Sequence, residues 1–513
     1  MRIQNSLKNF TSGLGTMVIS NVLAFVARTV FIAILDKSYL GVNGLLTNIL
    51  SMLSLAELGI GTAINFSLYK PIAEEDDNKI ALLMNFYKKA YRYIGIVVFL
   101  VGLVLMMFLD FIVKDQGEVK NLKLIFLIYL INTSYSYFMT HKVTLLNAYQ
   151  KSYILAPINI IFNIITTIAQ IIILIVTKNY IAYLIINMIV LLIQRLYTNH
   201  KITKMYPILN KKTNEKIPKK ELDLIVKNVK AMMFHKVGDY CINGTDNIII
   251  SSFISISVVG IYSNYLMIIN MINGVILMFF NSMTASMGNL ISTESDEKKR
   301  ESFEIINFIG MWLFGFTTVC LYNLLNPFIE IWLGKTFLIS QGILAVVILN
   351  YYLTGMRVPV ATMKMAAGLY DEDKFTPLIQ ASINLIVSIV LVKKIGLMGV
   401  FIGTLVSSLV LPCWQRPYII YKHIFKVSSK DYFIKYLKYL IIVICMTIGL
   451  QQIFSMIFLQ VTVVNFIIRV IVCAIVPNII FILLFNKTKE FKEVLKIVDK
   501  ISGGSIKCIK RLV

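Results

Sequence analysis

Carboxylates and histidines are scarce in this chain. Its 513 residues hold 27 Asp and Glu and only 4 His, so material for acid–base catalysis is thin. No G-x-x-x-x-G-K-[ST] phosphate loop is present. The GKT at 334–336 has Ile329 where the first glycine belongs and lies in an outside connection, which argues against ATP-driven transport by this chain alone. There is no H-E-x-x-H, and no Ser/His/Asp or Cys/His set. Cys241, Cys320, Cys413, Cys445, Cys473 and Cys508 are scattered, with neither metal-site nor disulfide spacing. A membrane glycosyltransferase or polymerase would bring a large outside loop or an acidic catalytic loop. The outside connections here are short, the longest running over about 114–120. The expectation is no enzyme, no cofactor and no metal.

Charge is scarce too. Charged residues make up 15% of the chain, against roughly 25% in a soluble domain. Hydrophobic residues are 57% and mean hydropathy is +0.76. Apolar runs of about 20 residues, the length of a bilayer-spanning helix, recur throughout. The first of them has no small-residue cleavage site after it and reads as a full span. The fold class expected is all-α integral membrane, with fourteen transmembrane helices. Their limits are near 10–35, 40–68, 90–113, 121–146, 153–177, 180–199, 229–254, 259–291, 303–326, 337–363, 376–393, 396–421, 433–459 and 461–486.

The net charge of +23 does not call for nucleic acid. With the N-terminus inside, the inside segments hold most of the Lys and Arg, as the positive-inside rule requires. Outside segments hold only Lys37, Lys114, Lys120, Lys123, Lys178, Lys335, Lys393 and Lys394. Fourteen spans return the C-terminus to the inside. The tail 487–513 is basic and amphipathic, with Phe491, Val494, Leu495, Val498 and Ile501 on one face. It reads as a surface helix held by anionic lipid.

The chain also repeats at about 220 residues. KSYILAPI around Pro157 faces EDKFTPLI around Pro377, and QRLY at 194–197 faces QRPY at 415–418. LGVNGLLTNI after Tyr39 faces VGIYSNYLMI after Val258, and EEDDNK at 74–79 faces TESDEK at 293–298. Six helices per half is an even number, so both halves enter the membrane the same way up. The expected organisation is an N-lobe over 1–210, a basic cytoplasmic linker over 211–228 and a C-lobe over 229–424. Helices 13 and 14 follow over 425–486, then the tail. Two parallel-repeat six-helix lobes around a central cavity suit alternating access.

Charges inside the spans mark the candidate site, because each costs roughly 2.5–3.5 kcal/mol at a helix centre. HKVGDYCINGTDN at 235–247 places His235, Lys236, Asp239 and Asp246 in the seventh span, and Asp239 and Asp246 align two turns apart. Helix 1 carries Asn21 and Arg28, also seven apart. Helix 10 carries Asn350, Arg357 and Lys364, with no acid on that face. Glu57, His141 and Arg469 complete the set. Arg28 and Asp246, or Lys236 and Asp239, have the signs to neutralise one another. Arg28, Lys236 and Arg357 are candidate substrate-binding cations, since a guanidinium fork suits phosphate. Glu57, Asp239 and Asp246 are candidates for ion coupling or lobe pairing. His141 reads as interfacial and Arg469 as structural or lipid-facing.

The segment YLGVNGLLTNILSMLSLAELGIGTAINFSLYKPIAEEDDNKIALLMNFYKKAYR at 39–92 resembles the N-terminal signature of bacterial polysaccharide flippases of the Wzx type. These belong to the multidrug/oligosaccharidyl-lipid/polysaccharide exporter superfamily. LAELGIG-[TS]-A followed by YKP is the specific part. The resemblance implies a transporter of the bacterial cytoplasmic membrane with both termini cytoplasmic. Its implied cargo is an undecaprenyl-pyrophosphate-linked oligosaccharide for capsule, O-antigen or exopolysaccharide synthesis. It further implies a cationic central cavity, contact with membrane lipids, and a polysaccharide polymerase and other assembly proteins as partners. The alternative is a multidrug or lipid II exporter of the same superfamily.

Overall fold

The computed structural model describes residues 2–53, 57, 60–113, 118–211, 217–219, 222–223, 225–226, 229, 244–369, 372–458 and 460–501. Twelve helices among the described residues are long and apolar enough to cross a membrane. Each coincides with one of the expected spans. The two remaining expectations, 40–68 and 229–254, run over residues outside that description.

The chain divides into two compact units, Met1–Ser263 and Asn264–Val513. The first contains α1 (Arg2–Ile34), α2 (Lys37–Leu53), α3 (Ile60–Ala73), α4 (Asp77–Met107), α5 (Leu122–Ala148), α6 (Leu155–Thr177) and α7 (Tyr180–Met205). Helical residues 244–253 and the start of α8 (Ile256–Thr293) complete it. α4 lies along α5, α6 pairs with α7, and α1 lies along α6. Its core joins Leu45, Leu46, Phe126 and Leu130, with a second cluster around Tyr87, Tyr91 and Tyr137. The rings of Tyr87 and Tyr91 meet edge to face at 4.8 Å.

The starts of α2 and α8 cross at backbone distance. The Ser38 and Ser257 hydroxyls are hydrogen-bonded at 2.8 Å. A Cβ on Gly41 would lie 1.9 Å from the Ile256 carbonyl oxygen, and one on Gly260 would lie 2.1 Å from that of Lys37. Only glycine allows this approach, which is how small residues join membrane helices.

The second unit is organised by α9 (Asp296–Leu333). Around it stand α10 (Gln341–Met356), α11 (Val358–Ala366), α15 (Lys430–Ile457), α16 (Val463–Phe485) and α17 (Lys489–Ile501). α12 (Thr376–Ile395) and α13 (Leu397–Val410) pair, and α14 (Pro412–Ile420) continues α13. Two expected single spans are therefore interrupted, at Arg357 and at Leu411. Pro359 and Pro412 stand just beyond the breaks, and proline lacks the N–H and crowds the carbonyl four residues back. Where α9 passes the first break, Gly310 leaves room for Pro359, and Phe314 packs against Gly355.

The capping of α4 and α9 is alike. Asp76 accepts from the Lys79 amide at 3.0 Å, and Ser295 accepts from the Lys298 amide at 3.5 Å. Both use a side-chain oxygen to satisfy the first turn.

On α16, Ile467, Ile471, Ile475, Ile479 and Leu483 are all about half exposed or more. A row of large apolar side chains facing outward at a spacing of four is stable only against hydrocarbon. The molecule is a multi-pass membrane protein. Arg469 on the same helix is buried, stacked over Phe454 and Phe458 at 5.2 and 5.3 Å, and is structural.

The tail helix α17 departs from the expected lipid-held surface helix. Phe491 is buried and stacks on Trp312 at 5.7 Å. Lys435 bridges Glu304 at 2.9 Å and Glu490 at 2.7 Å. Ile497 and Val498 remain exposed. Burial pushes the Glu490 carboxyl up, but the hydrogen bond and charge of Lys435 outweigh it and hold the carboxyl below its ordinary value. A depressed carboxylate stabilises docking above its unfolded pKa, about 4.3, and that contribution is lost as pH falls through the folded value. Acidification below about pH 4.3 is thus expected to loosen α17. In a protein keeping Trp312 alone of the three tryptophans, its emission should shift to the red there. Phe491→Ala should give the same shift at neutral pH. An emission unchanged in both would show that the tail is held by other contacts.

Candidate functional site

Among the sequence candidates, Arg28 occupies a recognisable cavity. Its Nη1 donates to Ser263 Oγ at 3.0 Å, and that hydroxyl donates to the Gly260 carbonyl at 2.7 Å. The cavity, of about 310 Å³, is lined by Arg28 and Ser20 of α1, Asn43 of α2, Asn163, Thr166, Thr167 and Gln170 of α6, and Tyr183 of α7. Asn163 Nδ2 donates to Ser20 Oγ at 2.9 Å. Phe31 closes one side, edge to face with Tyr183 at 5.3 Å.

The polar wall comes from one helix. In α6 the non-apolar positions Asn159, Asn163, Thr166, Thr167 and Gln170 fall three or four apart, so they stack on one face. The opposite face presents exposed Ile161, Ile165, Ile168 and Ile172. The result combines a cation, amides and hydroxyls. A guanidinium donates five N–H groups, and amides both donate and accept. Such a set can hold an anionic group together with sugar hydroxyls. The volume is at the lower end of the roughly 300–1,000 Å³ typical of ligand sites. It fits a head group or a sugar residue.

The interval from Ser38 to Ser257, laid off from Arg28, ends at Asn247. A Cβ on Gly44 would lie 3.8 Å from Asn247 Nδ2, and the same interval carries Gly44 to Ser263. The Arg28–Ser263 contact thus has a counterpart in Asn247 beside Gly44.

Glu57 accepts a hydrogen bond from the Tyr91 hydroxyl. A Cβ on Gly61 would lie 2.9 Å from the same carboxylate oxygen, so this glycine makes the room. Asp246 is half-buried on helical residues 244–253 and acts electrostatically on Tyr262. His235, Lys236 and Asp239 lie outside the described residues.

Arg357 sits at the junction of α10 and α11, 8% exposed, with Nη2 donating to Thr354 Oγ1 at 3.0 Å. The face expected to join it with Asn350 and Lys364 divides. Asn350 donates to the Phe401 carbonyl at 2.9 Å, and Lys364 pairs with Asp373 at 2.5 Å. Arg416 Nε is 3.5 Å from the same carboxylate. Asp373 supplies an acid from the following connection, where a search along the helix face does not look. His141, expected at an interface, is buried.

Sequence reasoning missed Asn43, Asn163, Gln170 and Tyr183. The α6 stripe is the signal for Asn163 and Gln170 in the sequence, and none of the four residues carries a charge. Sequence reasoning also counted Lys142 and Arg195 with the inside segments, whereas both line a second cavity, between α5, α6 and α7.

The sequence profile described as "Polysaccharide biosynthesis protein" matches residues 6–284. No curated protein matches the chain. Among solved structures, the lipid II flippase MurJ in an inward closed conformation superposes with a TM-score of 0.64 at 15% identity, over 94% of this chain and 99% of that one. An inward-facing multidrug resistance MATE family transporter of the MOP superfamily gives 0.58 at 13%, over 77% and 94%. The Vibrio cholerae MATE transporter VcmN in its bent form gives 0.56 at 13%, over 82% and 97%. At these identities the likeness is one of fold, and the profile match supplies the family. The chain belongs to the polysaccharide biosynthesis protein family and is built on the fold of the multidrug/oligosaccharidyl-lipid/polysaccharide exporter superfamily.

Proposed function

We propose that the protein flips polyprenyl-diphosphate-linked oligosaccharide repeat units from the inner to the outer leaflet of the bacterial cytoplasmic membrane. The observation that carries this reading is the Arg28 cavity, where one cation stands among amides and hydroxyls. A glycan cannot cross about 30 Å of hydrocarbon unaided, because unpaired hydroxyls there cost several kcal/mol each. A polar cleft shields the glycan while the lipid tail stays in the bilayer. The protein moves its cargo without making or breaking a covalent bond, so it is a transporter and no enzyme.

Alternating access would open the site first to the inner and then to the outer leaflet. The helix starts Lys37 and Ile256, Asp77 and Asp296, and Leu122 and Gln341 are all separated by one and the same interval, which supports a parallel repeat. Both termini lie in the cytoplasm on the charge bias. Lys236 and Arg357 are, in this reading, the further candidate cations for the diphosphate of the cargo. Glu57, Asp239 and Asp246 carry the coupling to an ion gradient or membrane potential, because intramembrane carboxylates serve proton and cation steps. Surface polysaccharide polymerisation follows, through a polymerase and other assembly proteins.

A strain lacking the protein is expected to accumulate complete repeat units on the polyprenyl diphosphate and to lose surface glycan. Complementation with Arg28→Gln should lower transport about tenfold to a hundredfold, since a hydrogen bond to a charged group contributes about 1.5–3 kcal/mol. Normal surface glycan with altered drug sensitivity would instead assign the fold to a drug cargo.

A further inference from the structure

A second cavity of about 270 Å³ lies in the first unit, apart from the Arg28 cavity, lined by Lys142 of α5, Asn159 of α6, and Gln194, Arg195 and Asn199 of α7. Its polar groups are held in place. Lys142 Nζ donates to Thr203 Oγ1 at 2.7 Å, and Arg195 Nη1 donates to both Asn132 oxygens, backbone and side-chain, at 2.9 Å. Gln194 Nε2 donates to Asn159 Oδ1 at 3.0 Å. The partners of both cations are neutral. Among the described residues no carboxylate comes within ion-pair distance of Lys142 or Arg195. Lys88 and Arg92 add positive charge, acting with Lys142 on the buried His141. Asn199 Oδ1 is buried with no partner among the described residues. A half-turn of that amide presents its NH₂ to the cavity instead.

Two cations prepositioned by neutral groups, in a half-buried cleft without an acid, lack an anion. We propose that this cavity is a phosphate-binding site that takes the head group of an anionic membrane lipid. Arg195 supplies the planar fork and Lys142 the point charge, the two complementary ways of holding a phosphate. The surroundings favour a lipid over free phosphate. Met139 and Val143 of α5 and Leu155 of α6 line the same cleft beside its polar groups, so an acyl chain has an apolar surface to lie against. α5 and α7 both end near this level, and the charge bias places those ends at the inner leaflet. The site holds its lipid whether or not that lipid is the cargo.

The test uses the purified full chain in mild detergent and native mass spectrometry. Phosphatidylglycerol is expected to bind about tenfold or more tightly than phosphatidylcholine. Lys142→Gln with Arg195→Gln should remove that preference, and Arg28→Gln should leave it intact. Lys142→Arg with Arg195→Lys, which keeps both charges, should retain it. A photoreactive phosphatidylglycerol should label peptides within 136–159 and 194–202, a readout that does not depend on any variant folding. Displacement of the lipid by equimolar inorganic phosphate would assign the site to a free anion. Equal binding of both lipids, or labelling confined to other peptides, would overturn the proposal.

Discussion

Asp373→Asn is expected to lower the stability of the second unit by about 3–5 kcal/mol, the cost of breaking a buried ion pair from one side. Asp373 is fully buried, and Lys364 and Arg416 both point to its carboxylate. The substitution leaves two cations facing one another across a neutral amide. Lys364→Met should be milder, because Asp373 keeps Arg416. Thermal unfolding of the purified protein reads both, and the double variant gives the coupling between them. A loss below about 1 kcal/mol for Asp373→Asn, as for an exposed pair, would mean that solvent screens this carboxylate. The cluster also ties α11 to α14 across the interrupted helices, so its loss should be felt at Arg357 as well.

Gly41→Leu and Gly260→Leu are expected to abolish recovery of folded protein. Alanine at either position should already cost about 1–3 kcal/mol, the usual range for overpacking. The reason is what each new Cβ would strike. At Gly41 it is the Ile256 carbonyl oxygen and at Gly260 that of Lys37, both backbone atoms that cannot swing aside as a side chain does. The crossing helices must separate, and the Ser38–Ser257 hydrogen bond goes with them. Gly449→Ala is the control, since nothing lies within 4 Å of a Cβ there. If Gly41→Ala and Gly449→Ala melt together, the crossing is looser than these distances state.

Much of the fold was legible because lipid simplifies the pattern. A bilayer demands about 20 apolar residues per helix, and twelve of the expected spans appear as helices. Hydropathy is blind to interruptions within a span, so the breaks before Pro359 and Pro412 went unread. The site was legible only where it was charged. Arg28 stood out, but Asn163 and Gln170 form the same cavity wall with no net charge. Charge near a helix end also misleads. Lys142 and Arg195 count as inside residues on the positive-inside rule, and that count does not tell which face of a helix they occupy. Asp373 escaped because it lies in a connection, and its partners reach it from two helices.

The crossing at Gly41 and Gly260 has a further consequence. Gly41 meets Ile256 while Gly260 meets Lys37, Arg28 meets Ser263 while Asn247 lies beside Gly44, and every partner is exchanged by the same step along the chain. A patch that binds its own copy in this reciprocal way has the form of an isologous dimer interface. Under the proposed repeat, a half-length chain with Ser38 and Gly41 carries a patch that is complementary to itself. In the parallel repeat proposed above, two copies that share one chain are free to diverge, and the matching places hold arginine at 28 and asparagine at 247. The glycines had no such freedom, because each answers to the backbone of its twin. Fusion of a symmetric dimer thus permits a single charged group to lie beside the axis, where a true homodimer would be forced to place two.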